Sequence, residues 1–278
     1  MNYLRHIRTC NRHDPAGFVD FVAAGVRLGR VRHALARTLS RLPGFAVSPD
    51  AIVLAGDDFE ERSAFVAGAV DHLIASGDIP GLRHEFYPGV PRRGAEPLFR
   101  IDRAAIVHFG IAAYGVHLNG FVRRPDGIHM WVAIRARDRA IAPGKFDNIV
   151  AGGQPIGLSL RENLIKEASE EAGMTVADSQ RAQPVGAITY SFETPAGLKV
   201  DTMFLYDLEL PSSFSPRNSD GEVEAFELWP LAAVAERVRL TDDFKFNVNL
   251  VVIDFMIRHG FLVPEHPEYL DLVRGLHA

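Results

Sequence analysis

Cysteine is almost absent from this chain. Its 278 residues hold one, Cys10. No intrachain disulfide can form, which excludes the disulfide scaffolds of small secreted domains. An excess of positive charge is also lacking: 30 Lys and Arg stand against 35 Asp and Glu, for a formal net charge of −5. That balance gives no electrostatic footprint for nucleic acid. No apolar run approaches the roughly 20 residues that a membrane helix needs. Residues 1–12 are basic through Arg5, Arg8 and Arg12, but carry no apolar stretch of the kind a secretory signal has. Internal repeats and low-complexity tracts are missing as well. The expectation is a soluble, cytoplasmic chain with no nucleic-acid or membrane partner.

What is present suits a packed fold. Apolar residues make up 47% of the chain, and its length predicts one or two domains. From Asp14 to about Leu42 the spacing of Phe18, Phe21, Val22, Leu35 and Leu39 predicts mainly helix, interrupted by an alternating segment over residues 25–31. A short strand is expected between Phe45 and Leu54, and an amphipathic helix from Phe59 to Ser76. Residues 80–97, with Pro80, Pro88, Pro91 and Pro97, read as a loop or linker. The first 97 residues therefore form a small α+β module. From Leu98 onward the texture turns to strands, over residues 101–109, 112–123 and 127–135, with Pro125-Asp126-Gly127 as a hairpin turn. Two more strands follow, Val185–Phe192 and Lys199–Leu210, then a mobile polar loop from Pro211. A helix is expected from Pro230, and a last long helix, Asp242–Arg258, capped by Thr241.

The chain is organised around residues 151–174. Ser159 followed by Glu162 is a capping-box pattern that marks a helix start. Gly173 is a natural residue to end it, because glycine enters the left-handed region without strain. Between them Glu167, Glu170 and Glu171 fall in one sector, at spacings that bring helical side chains together. Leu164, Ile165, Ala168 and Ala172 occupy the neighbouring, core-facing sector. Lys166 alone relieves the repulsion. Crowded carboxylates suit a hard divalent cation with oxygen ligands, Mg²⁺ first. Gly152 and Gly153 in the preceding loop can offer backbone ligands and let a phosphate approach. The competing reading is a solvated acidic helix face.

This stretch resembles the Nudix box, G-x5-E-x7-R-E-U-x-E-E-x-G-U, with U a bulky apolar residue. The register runs from Gly152 through Lys166, Glu167, Ala168, Glu170, Glu171, Gly173 and Met174. Ala168 is small for its place. Leu158 stands where the first glutamate belongs, and Lys166 where arginine orients the neighbouring glutamate; lysine keeps the charge without the two-pronged geometry. The flanking words His117-Leu-Asn-Gly120, Pro143 to Gly153, and Asp220-Gly-Glu-Val-Glu224 resemble a two-domain subgroup with a module of about a hundred residues before the Nudix domain. Fungal members can be fused to thiamine pyrophosphokinase, and plant members are often plastid-targeted.

The resemblance implies an α+β chain: residues 98–278 as a Nudix α/β/α sandwich with a mixed sheet, preceded by the 1–97 module. It implies Mg²⁺-dependent hydrolysis (Mn²⁺ as substitute) of a small-molecule diphosphate: thiamine diphosphate, or its oxidised or analogue forms, to the monophosphate. Glu170 and Glu171 are the expected principal ligands, Glu167 a ligand or base, Lys166 the orienting cation. Glu222, ahead of Glu224 on one strand face, is the expected base outside the box. Lys145 is a candidate phosphate contact; Trp131, Tyr190, Phe192 and His117 are expected to serve the core. Other readings are a Nudix pyrophosphatase for ADP-ribose or dinucleotides, an isoprenoid diphosphate isomerase, and a non-catalytic sensor. Homodimer formation is left open.

Overall fold

A computed structural model describes residues 2–277. After a short helix α1 (Leu4–Cys10), strands β1 (Phe18–Ala23) and β2 (Val26–Arg32) form a hairpin, followed by α2 (His33–Leu39), β3 (Phe45–Ser48), β4 (Ala51–Leu54) and α3 (Phe59–Ala75). The four strands make one sheet in the order β2-β1-β4-β3, with β1 and β4 parallel. Residues 18–23 are thus strand, where helix was expected. Their sequence, Phe-Val-Asp-Phe-Val-Ala, is aromatic and β-branched, which suits a pleated surface. The missed signal is the two-residue turn. Ala24 (φ 47°) and Gly25 (φ 75°) both lie in the left-handed region, as a type I′ hairpin demands, with alanine in a place usually held by Asn, Asp or Gly. The segment around Pro49-Asp50 likewise makes two strands rather than one.

Residues 80–97 are not all loop. Strand β5 (Phe86–Gly89) pairs antiparallel with β6 (Phe99–Asp102), and α4 (Ile106–Phe109) replaces the strand expected there. Phe21, Val31, Ile52, Val66, Leu73, Phe99, Ile101 and Phe109 share one buried cluster, which runs on to Ala113.

The second, seven-stranded sheet comprises β7 (Ala112–Arg124), β8 (Gly127–Arg135), β9 (Phe146–Asn148), β10 (Val150–Gly153), β11 (Gln183–Glu193), β12 (Leu198–Glu209) and β13 (Val223–Pro230). Its main order is β11-β12-β7-β8-β13; β10 pairs with β7 and β9 with β8. Only the β12–β7 pair in it is parallel, so the sheet is mixed, as expected. Helix α5 (Leu160–Ala172) covers one face, where Leu164 and Ala168 pack with Val116, Leu118 and Val150. α6 (Val176–Gln180) follows it. The other face is covered by α7 (Leu231–Leu240), α8 (Val248–Arg258) and α9 (Tyr269–Gly275), joined by Ile7 and Cys10 of α1. The last long helix begins at Val248, not Asp242. The Thr241 hydroxyl donates back to Arg237 O at 2.9 Å, and Phe244, 3% exposed, bridges to Phe146 of β9.

The α5 helix has the ends that its sequence specifies. Ser159 and Glu162 form the reciprocal capping box, and Gly173 closes the helix at φ 63°. The segment after β12 docks on this end: Arg217 N donates to Ala172 O at 3.0 Å and Ser219 N to Glu170 O at 3.0 Å. The polar loop thus satisfies carbonyls that a helix C-terminus leaves open. A methyl on Gly173 would meet Arg217 O at 2.8 Å as well as strain the backbone. Gly173→Ala is expected to cost about 1–2 kcal/mol or more, read as a lowered urea midpoint at unchanged m-value.

Candidate functional site

The site begins where α5 lies along β10. Asn163, fully buried, donates to Gly153 O at 2.8 Å and ties the first turn of the helix to the strand. Leu164 and Ala168 have no exposed surface, and Ala172 has 1%. One helical turn beyond Asn163, Glu167 folds over Gly152: a methyl there would sit 2.3 Å from Glu167 Cγ and Cδ. Glycine at 152 is therefore the vacancy that receives a carboxylate. Glu171, 7% exposed, accepts from Ala151 N at 2.8 Å. Of the three box glutamates, Glu167 and Glu171 converge on the strand. Glu170 is half-exposed and held by Lys166 Nζ at 2.6 Å; the same ammonium reaches Glu167 at 3.2 Å.

Burial governs the charges. Desolvation raises the Glu171 carboxyl well above the ordinary carboxylate range; the Ala151 N–H opposes this, while Asp147, Glu167 and Glu222 add to it. Glu167 is raised too, first by burial, with Lys166 opposing and Glu170 and Glu85 contributing. Two carboxylates that resist ionisation side by side are what a cation would relieve. The donor set of Glu167 and Glu171, with Glu222 in electrostatic reach, suits a hard divalent ion. As placed, Glu170 is engaged by Lys166, and among the described residues no three His, Cys, Asp or Glu side chains converge on one metal position. Gly153 O accepts from Asn163, and the Gly153 Cα faces the Tyr87 hydroxyl.

Glu222 and Glu224 do not share a strand face. Glu222 precedes β13, and the register shifts between Val223 and Ala225. Such a bulge re-aims side chains. Glu222 pairs with Arg139 at 2.7 Å and lies within the field of Glu171; Glu224 pairs with the exposed Arg137 at 3.4 Å. Lys145 donates to Asp242 O at 2.7 Å. A different lysine, Lys245, reaches the buried Asp147 at 3.3 Å, beside Arg135 at 2.8 Å. His117 is 5% exposed and its Nδ1 meets Asn148 Oδ1 at 2.9 Å; burial first, then Lys245, lowers its pKa to about 4, so it is neutral near pH 7. Asn148 continues to Asn119 (2.9 Å), and Asn119 to Asp207 (3.0 Å). Tyr190 is buried and donates to Asp201 at 2.6 Å, Phe192 packs beside it, and Trp131 packs on the α5 side.

Three residues near β10 were not foreseen: Glu85, Tyr87 and Arg103. The Tyr87 hydroxyl occupies the place a Gly153 side chain would take, and Arg103 pairs with Glu85 at 2.7 Å. No sequence signal links them to the box; His84-Glu85 in a proline-rich stretch reads as ordinary loop. One surface hollow of about 430 Å³, beneath Trp229 and Arg237, lies apart from these residues; another of about 470 Å³ lies between Trp131 and residues 215–218.

Comparison with known proteins adds the following. Residues 2–113 match a family described as a domain of unknown function, DUF4743. Nudix hydrolase 20, chloroplastic, of Arabidopsis thaliana is 46% identical over 217 residues, covering 78% of this chain and 58% of that protein. Nudix hydrolase 24, chloroplastic, of the same plant is 46% identical over 220 residues, covering 79% and 60%. An uncharacterised protein of Saccharomyces cerevisiae is 31% identical over 242 residues, covering 80% and 69%. The matched region thus spans about three-fifths of the plant relatives' length. Among the described residues, no helix is long and apolar enough to cross a membrane.

Proposed function

The chain belongs to the Nudix hydrolase family, and we propose that it hydrolyses the phosphoanhydride of a small-molecule diphosphate, thiamine diphosphate or its oxidised or analogue forms, to the monophosphate. The observation that carries this reading is the docking of Glu167 and Glu171 on Gly152 and Ala151 at the edge of β10. A divalent ion, Mg²⁺ with Mn²⁺ as substitute, would neutralise phosphate oxygens and acidify a water. Glu171 and Glu167 would hold it. Glu170 would join them by releasing Lys166, whose ammonium holds Glu170 and Glu167. Glu222 is the base of choice outside the helix, since its charge is felt at Glu171 and Arg139 fixes its position. Positioning and charge stabilisation carry most of the rate in such a displacement. The cytoplasm as site of action and the division at residue 97 belong to the same proposal.

The test is a substrate comparison with Mg²⁺ present or chelated. Thiamine diphosphate and oxythiamine diphosphate are expected to release phosphate at least about tenfold faster than ADP-ribose or NADH is cleaved, a difference of about 1.4 kcal/mol in barrier. Preference for ADP-ribose would overturn the substrate. Diphosphate binding without turnover would convert the enzyme into a sensor.

A further inference from the structure

Residues 83–103 reach the site from the first half of the chain. Ile156 N, just after β10, donates to Phe86 O at 2.8 Å. Alternate residues of a strand face opposite sides. Gly152 meets Glu167; its neighbour Gly153 meets the Tyr87 hydroxyl, with Arg103 Cζ only 3.7 Å from where a side chain would start. The arrangement is braced. The Asp102 carboxylate, 3% exposed, accepts from Arg83 N (3.1 Å), His84 N (2.9 Å) and Ala104 N (2.9 Å). Arg103 N donates to Glu85 O at 2.8 Å. Asp102 thereby fixes two chain segments, and Glu85 and Arg103 emerge side by side, joined from Nη1 to Oε2 at 2.7 Å.

Only that one edge of the guanidinium is used: among the described residues, the Arg103 side chain makes no other hydrogen bond. It keeps 48% of its surface, with the Glu85 carboxylate and the Tyr87 hydroxyl beside it. A surface ion pair alone adds little stability and has no need of the Asp102 brace. A planar fork with one edge anchored and one free fits two phosphate oxygens. We propose that Arg103 is a substrate-binding residue, holding non-bridging oxygens of the diphosphate beside Gly153 of β10. The first half of the chain would then complete the site, a role that rests on the hydrolase reading above.

The test is calorimetric binding of methylenediphosphonate, with Mg²⁺, to the full-length protein and three variants. Arg103→Ala is expected to weaken binding about ten- to a hundredfold at unchanged melting temperature. Arg103→Lys should recover part, since lysine keeps charge but not the fork. Glu85→Gln removes the ion pair, keeps the guanidinium, and should bind nearly as wild type. Equal damage from Glu85→Gln and Arg103→Ala would reduce Arg103 to a structural partner, and wild-type binding by Arg103→Ala would overturn the proposal. Hydrolysis measured in parallel separates the two readings. Wild type that binds the diphosphonate but cleaves no diphosphate defeats the enzyme reading alone. Arg103→Ala with wild-type KM and affinity defeats the Arg103 assignment alone.

Discussion

Glu171→Gln is expected to lower kcat by about three orders of magnitude or more, some 4 kcal/mol of barrier, while leaving the metal-free fold at least as stable as wild type. The two halves have one cause. Glu171 is 7% exposed and its carboxyl is raised by desolvation. A group whose folded pKa is raised contributes stability that is complete below its unfolded pKa and is lost as pH rises through the folded value. Metal-free protein should therefore lose stability from about pH 4.3 upward, as Glu167 and Glu171 are forced to ionise. A glutamine carries no charge to desolvate, and its amide oxygen still accepts from Ala151 N. Melting temperature against pH should be flatter in the variant. The gain on adding Mg²⁺, which in wild type grows with pH as the carboxylates deprotonate, should shrink. A near-native rate, or a variant that melts well below wild type without metal, would remove Glu171 from the site.

The parts of this centre legible in the sequence are those fixed by local rules. Ser159, Glu162 and Gly173 are cap residues whose partners lie within one turn, so α5 has the ends expected of it. Which box glutamates converge was not legible. Glu167, Glu170 and Glu171 share a helical sector, but the position of β10 decides that two turn inward while Glu170 stays with Lys166. Glu222 and Glu224 look like face-sharing neighbours until a bulge separates them. Tyr87 and Arg103 lie 66 and 50 residues before Gly153, and only tertiary packing makes them neighbours. The helix expected around Phe18 fails for a local reason: Ala24 takes a left-handed turn position that its identity does not advertise.

Gly152→Ala is expected to cut kcat by about a hundredfold without unfolding the protein. The site needs Gly152 for space, not for backbone freedom: its φ is not in the left-handed region, and β10 tolerates alanine conformationally. The obstacle is Glu167, whose Cγ and Cδ would lie 2.3 Å from the new methyl, with Oε2 at 2.7 Å. The side chain must swing away, for it is more flexible than the strand. It then leaves Glu171 as the one box carboxylate on β10. A displacement of about 1 Å can cost about a hundredfold in rate, so the methyl should act much as loss of Glu167 does. The double-mutant cycle makes this specific. If Gly152→Ala works only by expelling Glu167, then Gly152→Ala combined with Glu167→Gln should be little worse than either alone, a clear departure from additivity. Multiplying effects would mean that the methyl disturbs something other than Glu167. Full activity in Gly152→Ala would mean that Glu167 works from a different position.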